Sequence, residues 1–452
     1  MNKPVEPDSE EDLSQECEKD KGWVKKWLPV DSFLKNVSLL AGSTAIGQAL
    51  LIGVSPLLTR LYTATDFGLL AVYGSMLSIC AVATALRYDI AIPLPKRTDQ
   101  AVHLLALAIG SVVITSGGIG LGFWLARDTV ADLLNVPEFS RYMWLLPIGL
   151  LGAGIYQSLN YWAVRAQEYT VLGRTRITQS VAAATSQLGL GLLAFGPMGL
   201  VIGKILGRTA GVGSLALLLK KEAASFRKVK LKRMVVLAWR YRRFPAISVP
   251  GALLNNAGLY APALLLSSFF GATVTGWFAL AERVLKAPVS LVGNATQQVY
   301  IGEAAERARS APKSMLALFD DTSLKLLLIG LVPALLAFIL GPWGFEFVFG
   351  EGWRTAGVYV QIMSPMLLIR FVASPLSHTL NIIEKQHVLM VWEALRLLLT
   401  VGAFLGGYLL DLTDTQTMLL YSGGASVAYA AMYIMTRYVL RRHGLSSELS
   451  GA

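Results

Sequence analysis

The chain has 452 residues, of which 54% are hydrophobic and only 15% charged, and its mean hydropathy is +0.53. Soluble domains carry about 25% charged residues, so this composition excludes an ordinary soluble protein and predicts a surface that largely faces lipid. Basic connections beside a membrane explain the net charge of +11 better than nucleic acid does, and we expect no nucleic-acid partner.

Residues 1–32 are predicted to form an acidic, disordered cytosolic tail with an interfacial lead-in to the membrane. The first twenty are rich in acids and poor in large apolar side chains, so they cannot bury a core. They also lack the apolar run of a cleavable signal peptide. Trp23 and Trp27, set among lysines, then favour a position at the membrane interface.

Twelve apolar segments follow, each close to the roughly 20 residues that cross a bilayer. They are predicted at residues 33–58, 67–93, 101–125, 142–164, 176–195, 198–219, 245–269, 276–300, 317–340, 355–380, 388–410 and 417–440. The predicted fold is an all-α polytopic membrane protein with a six-helix N-terminal lobe, a six-helix C-terminal lobe and a short cytosolic tail: 33–219, 245–440 and 441–452.

The lobes are separated by a basic linker at residues 220–244, which contains the run KKEAASFRKVKLKRMVVLAWRYRR. Basic residues beside membrane spans are retained in the cytoplasm. Most other Lys and Arg outside the spans fall in connections on the linker's side, so we expect both termini to be cytoplasmic. The opposite connections hold only four: Arg60, Arg127, Arg141 and Arg354. The linker's apolar residues indicate an interfacial helix on anionic lipid, with a specific partner site as the alternative.

The second lobe partly repeats the first. A shift of about 208 residues aligns Asp66-Phe67-Gly68 with Val274-Thr275-Gly276, and Gln48 with Asn256; later in the lobes the shift becomes about 218. Six spans per lobe give both lobes the same orientation. The pattern therefore predicts two parallel repeats around a central cavity.

Cations inside the predicted spans are costly, at about 3 kcal/mol each near a helix centre. Three lie near cytoplasmic ends, and we expect their side chains to reach the interface: Lys35, Lys325 and Arg396. Three lie deeper and are candidates for a cavity, with interhelical pairing as the alternative: Arg208, Arg283 and Arg370.

Two spans combine acids with cations. In the eighth span, Glu282 and Lys286 can pair four residues apart, and Arg283 can point the same way as Lys286. In the second span, Arg87 and Asp89 are expected to point to different sides of a continuous helix. Proton transfer or a structural role is open for Asp89.

The sixth span contains a glycine at every fourth position, which favours close helix packing, with flexibility as the alternative: Gly199, Gly203, Gly207 and Gly211. Lys204 and Arg208 follow the same spacing at the border of this seam.

Motifs for enzymatic chemistry are missing from the sequence. Cys17 and Cys80 suit neither a disulfide framework nor a metal site, and the four histidines are scattered. No phosphate loop, H-E-x-x-H or G-x-S-x-G motif occurs, and the predicted outer loops are short. We expect no catalytic residue, no metal and no cofactor.

Five stretches, in this order, resemble the Wzx-type oligosaccharide flippases of the multidrug/oligosaccharidyl-lipid/polysaccharide (MOP) superfamily. They are SPLLTRLYTATDFGLLAVYGS, LRYDIAIPLP, YRRFPAISVPGALLNN, AERVLKAPVSLVGNATQQVY and FGEGWRTAGVYVQIMSPMLLIRFVASPLSHTLN. The resemblance touches both halves and most of residues 34–390.

The resemblance implies a transporter of the bacterial cytoplasmic (inner) membrane that works by alternating access. It would move undecaprenyl-pyrophosphate-linked oligosaccharide from the inner to the outer leaflet for O-antigen, capsule or exopolysaccharide assembly. Expected partners are membrane lipids, a polysaccharide polymerase and chain-length proteins. Two extra spans of the lipid II flippases are missing here, which disfavours lipid II as the cargo.

The resemblance also suggests roles for the polar residues. A pyrophosphate needs cationic donors, and arginine can bind it with two parallel hydrogen bonds. We expect Arg283 and Arg370 to bind the pyrophosphate or acidic sugars, followed in order of expectation by Lys286, Arg208 and Arg87. Arg60 is expected at the outer mouth of the cavity. The amide side chains are expected to hydrogen-bond sugars: Gln48, Asn255 and Asn256. Coupling to a proton or sodium gradient would use Asp89, Glu282 or Glu393.

Three other functions are alternatives to a flippase. A drug or cation exporter of the same superfamily should place acids deep in its spans, whereas the deepest acid here, Glu282, lies beside two cations. A non-transporting scaffold of a polysaccharide assembly complex would not need its deep arginines. A membrane polymerase or ligase is disfavoured by the short outer loops.

Overall fold

The computed structural model describes residues 30–222, 226, 229–310, 314–383 and 385–449, and these form helices joined by short turns. The acidic tail predicted at 1–32 lies almost wholly outside the described residues. The helices are α1 Val30–Leu61, α2 Ala64–Thr84, α3 Tyr88–Ala91, α4 Thr98–Leu125, α5 Arg127–Leu133, α6 Leu145–Arg165, α7 Tyr169–Leu192, α8 Pro197–Thr209, α9 Val212–Leu217, α10 Leu231–Arg240, α11 Val249–Ser310, α12 Ser314–Phe349, α13 Arg354–Leu376, α14 Thr379–Ile382, α15 Gln386–Leu409 and α16 Asp414–Leu449.

The predicted spans correspond to these helices. α11 holds two of them, because its direction changes at Gly271, where a φ of 81° and a ψ of −178° interrupt the helix. Nine described stretches are long and apolar enough to cross a membrane, and one of them, Phe244–Lys286, includes that bend. α6 and α7 are as long as a span but less apolar, and α7 carries Gln179 and Gln187 toward the protein interior. The all-α polytopic fold is confirmed, whereas the exact lobe boundaries remain predictions.

The described part of the basic linker contains the amphipathic helix α10. Leu237 is buried against α4, where Arg233 donates to the Asp99 carboxylate at 2.9 Å. Four other apolar side chains of the helix are exposed: Leu231, Val235, Val236 and Trp239. An exposed apolar face beside cations is the arrangement that a helix lying on anionic lipid requires.

The first half of the chain (α1–α9) meets the second half (α11–α16) where α1 turns into α2. A Cβ at Gly68 would overlap the carbonyl of Ala272, and a Cβ at Gly276 would overlap the carbonyl of Ala64. Both positions therefore need glycine so that the backbones of α2 and α11 can touch. We call this reciprocal contact the glycine junction, and the end of the bundle that holds it the junction end.

The glycine junction has local two-fold symmetry. The hydroxyls of Thr65 and Thr273 are 2.9 Å apart, and these residues are separated by 208 positions. The same offset relates Gly68 to Gly276. It is the repeat register that the sequence predicts, so the two repeats contact each other through equivalent residues.

Aromatic packing reinforces the junction end. The ring of Trp353 contacts Phe67 edge-on with 5.0 Å between centroids, and its Nε1 donates to the carbonyl of Thr59 at 3.3 Å. The hydroxyl of Ser267 donates to the carbonyl of Leu134 at 2.6 Å. Each of these contacts joins the first half to the second, so this end of the bundle is closed.

We expect Gly276→Ala to separate α2 from α11, because the added Cβ must displace a backbone carbonyl. A Thr65→Cys/Thr273→Cys pair, with both native cysteines replaced by serine, should crosslink readily under mild oxidation. Gly276→Ala should lower the crosslinking rate several-fold.

Gly302→Ala is the matched control, since Gly302 lies in the same helix and an added Cβ there meets nothing within 4 Å. Equal crosslinking in both alanine variants would contradict the glycine junction.

Candidate functional site

A cavity of about 530 Å³ lies between α1, α2, α7 and α8 of the first half and α11 of the second. Its volume lies within the range of about 300–1,000 Å³ that is typical of small-molecule sites. Phe67 and Phe278 line it near the glycine junction, and Gln48 lines it from α1. We call it the first cavity.

Cations dominate the first cavity. α8 and α11 each contribute two, and α11 adds one acid: Lys204, Arg208, Arg283, Lys286 and Glu282. The spacings of four residues on α8 and three on α11 place each pair on one helix face. Gly74 of α2 leaves room for Lys204, because a Cβ there would overlap the Lys204 ammonium.

These cations are compensated unequally. Lys286 Nζ lies 2.6 Å from Glu282 Oε1, as the i,i+4 spacing predicts. Among the described residues, no carboxylate forms an ion pair with Lys204 or Arg208.

Arg283 binds a backbone carbonyl across the interface between the halves. Its Nη2 donates to the carbonyl of Leu51 at 2.8 Å. The same carbonyl also accepts from the Ser55 hydroxyl at 2.8 Å. The cavity cation thereby holds α11 against α1.

The balance of charge selects the class of ligand. The four cationic side chains of the first cavity repel one another, and inside a membrane little water is present to screen that repulsion. A multivalent anion would supply the missing acceptors, and its charge-assisted hydrogen bonds are the strong kind. The first cavity is therefore suited to an anionic group.

A second cavity of about 390 Å³ continues from the first, and the two share Gln179, Arg208 and Tyr260. It runs toward Arg87 and Asp89, at the end of α2 away from the glycine junction. The two cavities together form one path between the first half and α11.

The backbone breaks at the end of α2 and corrects one expectation. Leu86 and Arg87 have left-handed φ values of 49° and 60°, so the predicted continuous span 67–93 ends at Thr84 and restarts as α3. Arg87 and Asp89, expected to point to different sides, both line the second cavity. The expectation was wrong because it assumed helical geometry through the break.

Several other predicted residues do not line the first cavity. Arg370 lines neither cavity and places its guanidinium 5.9 Å from the ring centre of Tyr429. Arg60 is exposed at the end of α1. Asn255 is exposed, whereas its neighbour Asn256 lines the second cavity.

Arg396 also differs from its expected position. It is only 7% exposed, lies 5.1 Å from the ring centre of Trp392 and donates to the Glu393 carboxylate, so the prediction that it reaches the interface is wrong. Gly258 makes room for it, since a Cβ there would meet its guanidinium. Lys325 is exposed as expected, and the side chain of Lys35 lies outside those described.

Sequence reasoning missed several polar residues of the first cavity, among them Lys204, Gln179 and Tyr260. The i,i+4 spacing of Lys204 and Arg208 was a usable signal, but the glycine seam beside it favoured a packing role. Among the described residues, no group of three or more His, Cys, Asp or Glu side chains is arranged to hold a metal ion.

Comparison with known sequences gives one family. The sequence model of a family described as polysaccharide biosynthesis proteins matches residues 57–357, more than half of the chain. None of the curated protein sequences matches the chain.

Solved structures of membrane transporters share the fold at low sequence identity. A lipid II flippase, MurJ, in an inward closed conformation has a TM-score of 0.72 at 11% identity, with 91% of each chain covered. An inward-facing multidrug resistance MATE transporter of the MOP superfamily has a TM-score of 0.62 at 12% identity, covering 90% of this chain and 95% of its own. A variant of the Vibrio cholerae MATE transporter VcmN has a TM-score of 0.55 at 16% identity, covering 91% of this chain and 98% of its own. The chain therefore has the fold of MOP-superfamily transporters.

We expect the first cavity to bind inorganic pyrophosphate, and two variants should change its affinity in opposite directions. Glu282→Gln frees Lys286 and should tighten binding several-fold. Arg283→Gln removes a charged donor and should weaken binding about tenfold or more. Isothermal titration of the purified protein in detergent measures both.

Asp321→Asn serves as the control, because Asp321 is exposed and pairs with exposed Lys325 outside the cavity. If Glu282→Gln weakens pyrophosphate binding, the carboxylate supports the ligand instead of opposing it, and the anion site is wrong.

Proposed function

Because the chain belongs to the family of polysaccharide biosynthesis proteins, we propose that it is a flippase for undecaprenyl-pyrophosphate-linked oligosaccharide. The observation that carries this proposal is the set of four cations around the first cavity, two of which have no acidic partner among the described residues. A lipid-linked diphosphate is an anion that a polysaccharide pathway would present at a membrane. The product would serve O-antigen, capsule or exopolysaccharide assembly.

The arrangement of the cavities supports a binding step. Lys204 and Arg208 from α8 and Arg283 from α11 would hold the diphosphate between the two halves. Lys286 would join them by exchanging Glu282 for a phosphate oxygen. The diphosphate would thus connect helices that belong to different repeats.

The glycine junction supports a release step. If the basic linker is cytoplasmic, the junction closes the outer end while both cavities lie on the cytoplasmic side of it. Binding of the anion neutralises the repulsion between α8 and α11, and separation of α2 from α11 at the junction would then give access to the outer leaflet. This is alternating access between two parallel repeats.

Other features of the proposal come from the family resemblance. They are the location in the bacterial inner membrane, cytoplasmic termini, coupling to a proton or sodium gradient, and partnership with membrane lipids, a polymerase and chain-length proteins. Arg370 and Arg60, which line neither cavity, move down the order of residues expected to touch cargo. Glu393, bound to Arg396, is likewise a weaker candidate for coupling.

A drug or cation exporter is the second candidate, because the fold is shared with MATE transporters. A cationic drug would need a free carboxylate in the cavity. In the first cavity the Glu282 carboxylate is paired with Lys286 and lies among further cations. In the second cavity Asp89 shares the lining with Arg87 and Arg208. This charge arrangement favours the flippase.

We expect cells that lack the protein to accumulate lipid-linked single repeat units, which the wild-type chain clears. Arg283→Ala should fail to clear them, since it removes both a cavity cation and the bond to Leu51. Sizing the extracted undecaprenyl-linked pool measures this.

Lys325→Ala, which removes an exposed cation outside the cavity, should clear the pool as the wild type does. If no lipid-linked glycan accumulates and no related flippase compensates, the cargo is different. The exporter or the scaffold then becomes the preferred function.

A further inference from the structure

The second cavity contains a buried carboxylate with an unmet hydrogen-bonding capacity. Asp89 is 3% exposed, lines the cavity, and its Oδ1 has no hydrogen-bond partner among the described residues. Nε of Arg87, two residues earlier, is also buried without a partner there. Leaving buried charged groups unsatisfied is costly, so a bound group that satisfies them is expected.

The backbone supports a ligand-binding role for this pair. Leu86 and Arg87 are consecutive non-glycine residues in the left-handed region, which costs free energy unless the surrounding structure maintains it. Through this break Arg87 and Asp89 come to line the same cavity. A continuous helix would have separated them.

The remaining polar wall suits hydroxyl groups. Asn256 and Gln179 each donate their amide nitrogen to a backbone carbonyl, at 2.9 and 3.0 Å, which leaves their amide oxygens as acceptors. Tyr156 and Tyr260 add aromatic surface with phenolic hydroxyls. A sugar ring carries hydroxyls that both donate and accept, and it has apolar faces that pack on aromatic rings.

The charge of the second cavity separates its ligand from that of the first. A carboxylate repels a phosphate, so Asp89 disfavours the diphosphate itself. Arg87 in turn disfavours a metal cation, and the described residues offer no cluster of acids to hold one. A neutral, hydroxyl-rich group fits both constraints.

We propose that the second cavity binds the sugar attached directly to the diphosphate, with Asp89 and Arg87 hydrogen-bonding its hydroxyls. The inference rests on the proposed flippase function and assigns Asp89 to cargo instead of ion coupling. The two cavities share Arg208, Gln179 and Tyr260. Neighbouring cavities thereby match neighbouring chemical groups of one lipid-linked molecule.

Two probes and the full-length protein in nanodiscs test the proposal. The probes are undecaprenyl diphosphate, which has no sugar, and the lipid-linked oligosaccharide extracted from cells that lack the protein. Asp89→Asn keeps the size of the side chain. It should weaken binding of the glycolipid about tenfold or more and change binding of undecaprenyl diphosphate less than about twofold.

Arg283→Ala should weaken binding of both probes, because it acts on the diphosphate. Asp128→Asn, at an exposed position outside both cavities, should affect neither. Should Asp89→Asn fail to fold, Asn256→Ala provides the second variant, since it is partly exposed and is expected to show the same selective loss.

Each remaining result overturns the proposal. Equal losses for both probes, or no loss for either, would show that Asp89 does not bind the sugar. An effect of Asp89→Asn that disappears when sodium is replaced by choline would assign Asp89 to an ion instead. If the wild type binds neither probe, the proposed flippase function fails together with this one.

Discussion

Four cationic side chains share one cavity inside a membrane protein, and the described contacts offset their mutual repulsion only in part. One of them, Lys286, is held by Glu282, and another, Arg283, is held by a carbonyl of α1. Lys204 and Arg208 remain without an ion pair among the described residues. A multivalent anion would stabilise such a site, and the charge of the cavity supports the proposed cargo more than its shape does.

Two helices, α2 and α11, contribute both to the first cavity and to the closed junction end. α2 and α11 line both the first cavity and the glycine junction, so a change in their separation affects the two together. At the junction, backbone carbonyls lie where a Cβ would be, so the two backbones touch directly. The buried side chains of Phe67, Phe278 and Trp353 belong to one core cluster at this end, so separating the two helices would also repack them. Arg283 lines the cavity and binds the Leu51 carbonyl of α1, so a ligand bound to Arg283 would change the contact between the two halves.

Sequence periodicity and composition predicted most of the fold. The spans, the parallel repeat and its offset of about 208 residues all correspond to described helices, because long apolar runs leave few alternatives in a bilayer. The candidate site was predicted less completely. Arg283, Lys286 and Arg208 line the cavity but Arg370 does not, since depth along a span does not determine which face of a helix points inward. Arg396, expected to reach the interface, is buried for the same reason. No glycine or proline lies at the helix break around Arg87, so the sequence did not predict that Asp89 and Arg87 line the same cavity.

The central claim is that Lys204, Arg208 and Arg283 hold the diphosphate of a lipid-linked glycan. A cryo-EM structure of the full chain in nanodiscs with its lipid-linked oligosaccharide tests this most directly. We predict density for the diphosphate between α8 and α11, within hydrogen-bonding distance of those three side chains. Diphosphate density outside the first cavity, or a cavity that stays unoccupied at saturating glycolipid, would contradict the account.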